Sequence, residues 1–287
     1  MIAKALRVGI PLTFASAGGF YLLENEDRRQ NFLRQVVALS KSIVTSRNDF
    51  DDHFPRGTWN DNWDFREPSQ LLDRKKYDKA TDEERKTLED ECKATATRNI
   101  FLIRHGQYHL DSVEKNLTPL GRQQADVLGK RLAESGIKFD KLVMSTMTRA
   151  TETANIILNH LPETLPKSSC SQIEEGPPYP PVPDVSHWKP PHSEFFVESA
   201  RIESAFRKHF HRAPPTQKED SYELYVCHAN VIRYFVCRAL QFPPEGWLRM
   251  SLGNCSLTWV VIRPSGRVTI RSLGDIGHFP PAKISFT

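Results

Sequence analysis

The stretch "NIFLIRHGQYHLDSVEKNLTPLGRQQA", residues 99–125, decides the fold class. Ile100–Ile103 is a short apolar strand. It runs directly into Arg104-His105-Gly106, so a cation and an imidazole stand side by side where the strand ends in a glycine. Thr118 and Pro119 then supply an N-cap and an N1 proline, and the helix they open continues until Gly136 stops it. Strand, polar turn and helix within about forty residues is the start of a βα unit.

The same alternation continues outward. Phe139–Met144 reads as a second strand and Thr148–Leu161 as a second helix. Residues 162–193 are proline-rich and non-repetitive, a long loop of the kind that in compact domains is functional or disordered. Glu194–His211 is helical, Leu224–Cys227 is a third strand running into His228, and Ala229–Leu240 is helical. Thr258–Ile262 and Val268–Ile270, joined around Pro264-Ser265-Gly266, form a terminal hairpin. Strands alternating with helices imply an α/β fold, a mostly parallel central sheet with helices on both faces.

Upstream, residues 24–48 carry periodic apolar positions and fit an amphipathic helix. Residues 49–80 show little periodicity and read as extended; they contain "WNDNWD", Trp59–Asp64. Thr81-Asp82-Glu83-Glu84 is a capping-box pattern that opens a charged helix to about Ala96. Val8–Leu23 carries no charge, with Lys4 and Arg7 before it and Glu24, Glu26 and Asp27 after it. Its length falls short of the roughly 20 residues of a spanning helix, and it includes Pro11, Gly18 and Gly19. A membrane anchor, a cleaved signal ending near Ala15-Ser16-Ala17 and a buried helix compete for it, and such segments also address chains to mitochondria. The organisation is therefore an anchor or targeting segment over 1–23, a linker over 24–97 and a globular domain over 98–287.

Composition narrows the function classes. Of 287 residues, 39% are hydrophobic and 26% charged, which suits a soluble core. The net charge of +4 is mild, and no dense Lys/Arg block interleaved with aromatics points to nucleic acid. The five cysteines are odd in number and form no C-x-x-C, which argues against a disulfide framework and a cysteine zinc site.

In an open α/β sheet the ligand crevice lies at the carboxyl ends of the strands. His105 stands at the end of one strand, His228 at the end of another, and Arg149 follows a third in "MSTMTRATET". Singly, each is a common structural or surface residue. Jointly, strand-R-H-G, strand-S-T-x-x-R-A-x-E-T and strand-C-H-A describe a site assembled on one sheet edge.

Arg104-His105-Gly106 with Arg149 and His228 resembles the histidine phosphatase, or phosphoglycerate mutase-like, superfamily. "WNDNWD", "NLTPLGRQQA", "MTRATET", "VCHANVIRYFVCRALQFPPEGWLRMSL" and "VIRPSGRV" are similar to its mitochondrial serine/threonine protein phosphatases, over a span from about Trp59 to the C-terminus. The resemblance implies that His105 is a nucleophile forming phosphohistidine, with Arg104, Arg149 and His228 binding the phosphoryl group and His228 cationic beside it. A general acid is required for an alkoxide leaving group. The family takes it from the long loop, where "SQIEEGPPYPPVP" offers Glu174 and Glu175; a glutamate directly before glycine selects Glu175. The family uses no metal, and no H-E-x-x-H or carboxylate cluster calls for one.

The sugar-phosphate mutases follow R-H-G with Glu-Ser and then Trp-Asn, whereas this chain has Gln107-Tyr108-His109, which argues against mutase chemistry. A small-molecule phosphatase and a membrane-tethered multimeric scaffold with secondary catalysis remain as alternatives. Two tryptophans in a polar loop serve equally as interface anchors or as packing on their own domain. The resemblance implies that a W-D-x-N-W-D segment joins subunits into activating homo-multimers. Trp59, Asn62, Trp63 and Asp64 match it, and Asn60 replaces the first aspartate. It further implies phosphoprotein substrates and a single-pass N-terminal anchor in a mitochondrial membrane, the outer rather than the inner.

Overall fold

Residues 57–186 and 188–286 are described by a computed structural model. The apolar run of residues 8–23 and the helix expected over 24–48 lie outside the described residues. The unit Trp59–Thr287 is compact.

Its centre is a six-stranded sheet of β1 (Arg98–Arg104), β2 (Lys141–Met144), β3 (Lys167–Ser169), β4 (Ser221–Cys227), β5 (Leu257–Ile262) and β6 (Val268–Asp275), in the order β3-β2-β4-β1-β5-β6. β1 to β4 run parallel; β5 and β6 are antiparallel at the other side, the expected hairpin. The main helices are α1 (Asp82–Glu91), α2 (Pro119–Glu134), α3 (Thr148–Leu158), α4 (His192–His209) and α5 (Ala229–Ala239).

β1 is buried along its whole length. Its side chains alternate between two cores, as the strand period of two requires. Ile100 and Leu102 join Tyr225 of β4 against Ile202 and Phe206 of α4 and Val231 and Phe235 of α5. Phe101 and Ile103 join Leu224 and Val226 against Leu128 and Leu132 of α2 and Ala154 and Ile157 of α3. Helices therefore cover both faces, as the sequence pattern predicts.

Local signals explain the element ends. The Thr118 hydroxyl accepts the Gly121 N–H at 3.0 Å, with Pro119 at N1, and Gly136 takes a left-handed φ of +70° just past α2. The capping box at Thr81 is formed, but α1 stops at Glu91, short of Ala96. Two expectations need correction. Residues 57–80 are not simply extended: Pro68–Leu71 and Arg74–Tyr77 form helical turns, the second capped by the Asp73 side chain. The loop 162–193 also contains β3, which pairs with the edge of β2, and a 3₁₀ turn at Ser171–Ile173.

Candidate active site

The sheet order β2-β4-β1 sets three parallel strand ends side by side. Arg104 is level with Cys227, and Met144 with Val226. The residues just past those ends are His105, His228 and Ser145, and Arg149 enters from the first turn of α3. The His105 N–H donates to the Cys227 carbonyl at 3.0 Å, which extends the ladder by one residue. The two histidine rings then lie 5.1 Å apart, tilted by 58°.

His105 is 2% exposed. Its Nδ1 lies 2.8 Å from the Gly106 carbonyl, and its Nε2 accepts from Arg149 Nε at 3.2 Å. Both partners are satisfied by one tautomer, with the proton on Nδ1 and the lone pair on Nε2. Burial, then the charges of Arg104 and Arg149, hold its pKa well below the ordinary histidine value. The ring is thus neutral at physiological pH, with its lone pair on Nε2. Its backbone carbonyl is fixed by Cys255 N–H at 3.2 Å and Asn254 Nδ2 at 3.3 Å.

Gly106 serves a close backbone approach. A Cβ there would lie 2.6 Å from the Gly121 carbonyl oxygen, so the strand end and the first turn of α2 touch backbone to backbone. The Gly106 N–H donates to Thr153 Oγ1 at 3.0 Å, tying the His105 loop to α3 as well.

Arg104 is buried, and its Nη1 donates to the carbonyls of Leu252 and Phe286 at 2.6 and 3.0 Å. The Arg149 guanidinium stacks 4.8 Å over the Tyr108 ring, whose edge meets His105. His228 Nε2 is 2.8 Å from Ser145 Oγ. Ser145 Oγ also accepts the Met147 N–H at 3.3 Å, so its own proton is free to point to Nε2 and leave the His228 proton on Nδ1. His228 is not a cation in these surroundings. Burial first, then His105 and Arg149, push its pKa well below the ordinary value, whereas the cation expected from sequence is one beside a phosphoryl group. A phosphate dianion would act in the other direction.

Among the described residues, the buried side-chain N or O atoms without a hydrogen-bond partner are Arg104 Nε, His228 Nδ1, Arg233 Nε and His278 Nε2. Three of these belong to this corner. A buried unpaired donor is costly unless a ligand meets it. Arg233 was not singled out from sequence. It stands one helical turn after Asn230, and its Nη1 donates to Asn230 Oδ1 at 3.2 Å. A lone cation in the otherwise apolar "VIRYFV" was the available signal. Ser145 and Thr153 lay within the S-T-x-x-R-A-x-E-T motif without a role of their own, and Tyr108 carried no such signal.

The two loop glutamates separate. The Glu174 carboxylate accepts from the Thr146 hydroxyl. Glu175 Oε1 instead accepts the N–H groups of Asn230 at 3.3 Å and Gly176 at 3.4 Å. Burial raises the Glu175 pKa, and the charges of Arg149 and Arg104 oppose that rise. A carboxyl group with a raised pKa, beside guanidinium groups and an unprotonated imidazole nitrogen, has the make-up for phosphoryl transfer with protonation of what leaves. Among the described residues no group of three or more His, Cys, Asp or Glu side chains is disposed to hold a metal ion.

The "WNDNWD" segment is divided by the structure. Trp63 is buried, donates Nε1–H to the Gly266 carbonyl at 2.8 Å and packs on Phe206. Asp64 pairs with Arg212 at 2.7 Å. Asn62 Oδ1 accepts the Glu67 N–H at 3.1 Å. Trp59 alone of the four is left 39% exposed.

The sequence pattern described as "Histidine phosphatase superfamily (branch 1)" matches residues 100–175 and 185–275. The chain is 65% identical over 287 residues to "Serine/threonine-protein phosphatase Pgam5, mitochondrial" of Caenorhabditis briggsae, with both chains covered completely. It is 57% identical over 233 residues to the Homo sapiens protein of the same name, covering 80% of each chain. Among solved structures, the phosphoglycerate mutase of Plasmodium falciparum is 34% identical, covers 65% of this chain and 96% of its own, and superimposes with a TM-score of 0.48.

Proposed function

The chain belongs to the histidine phosphatase superfamily, and on that premise we propose that it is a mitochondrial protein serine/threonine phosphatase working through a phosphohistidine on His105. The enzyme class is that of its named relatives: a metal-independent phosphoprotein phosphatase. In the first step His105 Nε2 attacks phosphorus in line, the N–P bond forms and the bond to the Ser or Thr oxygen breaks. Glu175 gives its proton to that oxygen. In the second step water attacks phosphorus, its proton passes to Glu175, the N–P bond breaks and inorganic phosphate leaves. Arg149, Arg104, Arg233 and the Nδ1–H of His228 supply fixed donors to the phosphoryl oxygens.

The observation that carries this reading is the His105 tautomer. The Gly106 carbonyl takes the proton on Nδ1, which leaves the lone pair on Nε2 beside the unpartnered donors; Arg149 Nε, which meets that lone pair, passes to the phosphoryl oxygens when Nε2 attacks. The test uses a phosphothreonine peptide labelled on phosphorus, quenched during turnover. Acid-labile, base-stable label on the wild-type chain and none on His105→Ala supports it. Turnover by His105→Ala within tenfold of wild type would overturn it.

The same reading includes a membrane anchor in residues 1–23 and activation by homo-multimers. No helix among the described residues is long and apolar enough to cross a membrane, so an anchor rests on the 8–23 run. Multimerisation rests on exposed Trp59, since Trp63 and Asp64 are occupied within their own subunit.

A further inference from the structure

The acid's loop is held by a residue outside the site. Arg201 lies in the middle of α4. Its Nη1 donates to the carbonyls of Ser171, Gln172 and Glu174 at 3.4, 2.8 and 2.9 Å, and its Nη2 to that of Glu175 at 3.1 Å. Its Nε donates to Glu198 Oε2 at 3.0 Å, one turn earlier on α4, and Nη2 pairs with the same oxygen. One guanidinium thus gathers four backbone carbonyls from five successive residues. Of these four carbonyls the Ser171–Ile173 turn itself satisfies that of Ser171, through the Glu174 N–H at 3.1 Å, and leaves the other three to Arg201. The planar fork of arginine is suited to this; the point charge of a lysine is not. From the other side, the Asn230 N–H holds the Glu175 carboxylate and Asn230 Nδ2 donates to the Gly176 carbonyl at 3.4 Å.

We infer that Arg201 is a positioning residue that fixes Glu175 as proton donor and so equips the site for poor, alkoxide leaving groups. This rests on Glu175 being the acid. A phosphothreonine oxygen must take a proton as its bond to phosphorus breaks, whereas a nitrophenolate departs without one. Loss of the clamp therefore penalises the first substrate and spares the second. A residue that merely supported the fold would impair both.

The test measures single-turnover phosphoryl transfer to the full-length chain from a phosphothreonine peptide and from p-nitrophenyl phosphate. The variants are Arg201→Met, Arg201→Lys, Glu175→Gln and Gly176→Ala. A Cβ on Gly176 would lie 2.8 Å from Arg201 Nη2 and closer still to Glu198, so it strains the clamp while Arg201 itself stays unsubstituted. Arg201→Met and Gly176→Ala are expected to slow the peptide reaction roughly ten- to hundredfold and the aryl reaction by less than about threefold, with KM little changed. Arg201→Lys should not restore the peptide rate. Equal losses on both substrates, a rise in KM alone, or unfolding of both Arg201→Met and Gly176→Ala would overturn the proposal. If Glu175→Gln itself fails to distinguish the leaving groups, the reading of Glu175 falls and the proposal with it. If Glu175→Gln distinguishes them and the clamp variants do not, only the role of Arg201 falls.

Discussion

At the scale of residues, two pKa shifts of opposite sign set the pH range of the proposed reaction, in which His105 attacks and Glu175 gives the proton. His105 must be neutral to attack, and burial with Arg104 and Arg149 lowers its pKa. Activity is therefore retained below the ordinary histidine value of about 6.5 and lost only as pH falls through the depressed one. Glu175 must be protonated, and burial raises its pKa, so the alkaline fall in rate lies above the ordinary carboxylate range. A profile of kcat/KM on a phosphothreonine peptide is expected to be bell-shaped, with Glu175→Gln lower by roughly 10²–10⁴ and lacking the alkaline limb. An alkaline limb that survives unchanged in Glu175→Gln would assign it to another group. His105, Arg149 and His228 were legible in the sequence because each follows a strand, and strand ends of one sheet meet; Arg104, the last residue of β1, was legible through the family's R-H-G pattern. Glu175 was legible only through the family's glutamate-glycine pattern. Arg201 and Arg233 were not: their roles depend on which carbonyls and carboxylates a distant loop brings to them.

At the scale of elements, the strands that align the site are themselves joined across the sheet by Glu223 of β4. Its carboxylate takes two hydrogen bonds from Arg98 of β1, both 2.7 Å, and pairs with Lys141 of β2 at 2.9 Å. Burial alone would raise the Glu223 pKa, but the Arg98 hydrogen bonds and charge, then Lys141, overturn that and hold it at about 2. A depressed carboxylate stabilises the fold above its unfolded pKa, and the contribution is lost as pH falls through the folded one. From an ordinary value near 4.5 down to about 2, this amounts to about 3 kcal/mol. Glu223→Gln, which leaves Arg98 buried without its counter-charge, is expected to cost about 3–5 kcal/mol at pH 7. Between pH 4 and 3 its unfolding free energy should fall with a slope shallower than wild type by up to about 1.4 kcal/mol per pH unit. Parallel slopes in denaturant titrations would show that Glu223 is not the linked group. The pattern that made β1, β2 and β4 readable was their apolar runs. β3 escaped because Lys167-Ser168-Ser169 is exposed throughout and has no apolar face; it exists only because the edge of β2 offers unpaired backbone groups. The turns at 68–71 and 74–77 escaped because they carry no buried residue, only a Pro at N1 and the Asp73 cap.

At the scale of the whole molecule, the question is what the two tryptophans of "WNDNWD" do, and the structure gives them different surroundings. The segment is fastened at both ends. Asn60 and Gln241 exchange two hydrogen bonds of 2.9 Å, and Asp64 is locked to Arg212, which also donates to the Asp61 carbonyl at 2.9 Å. Trp63, between them, fills the core beside Phe206, while Trp59 is held out by a segment that cannot easily retract it. Truncating Trp63 opens a cavity and leaves the Gly266 carbonyl without its donor, so Trp63→Ala is expected to destabilise each subunit by roughly 3–5 kcal/mol. Trp59→Ala truncates a side chain that is 39% exposed and outside the buried core, and should change subunit stability by less than about 1 kcal/mol. If Trp59 anchors a neighbouring copy, the same substitution shifts sedimentation velocity toward smaller species and lowers phosphopeptide turnover in parallel. Subunit stability must then be measured at dilutions where even wild type dissociates, because association itself raises apparent stability. Unchanged assembly in Trp59→Ala would remove Trp59 from the interface. A loss of several kcal/mol in the dissociated Trp59→Ala subunit would instead make it a packing residue, and the asymmetry between the two tryptophans would no longer separate assembly from folding.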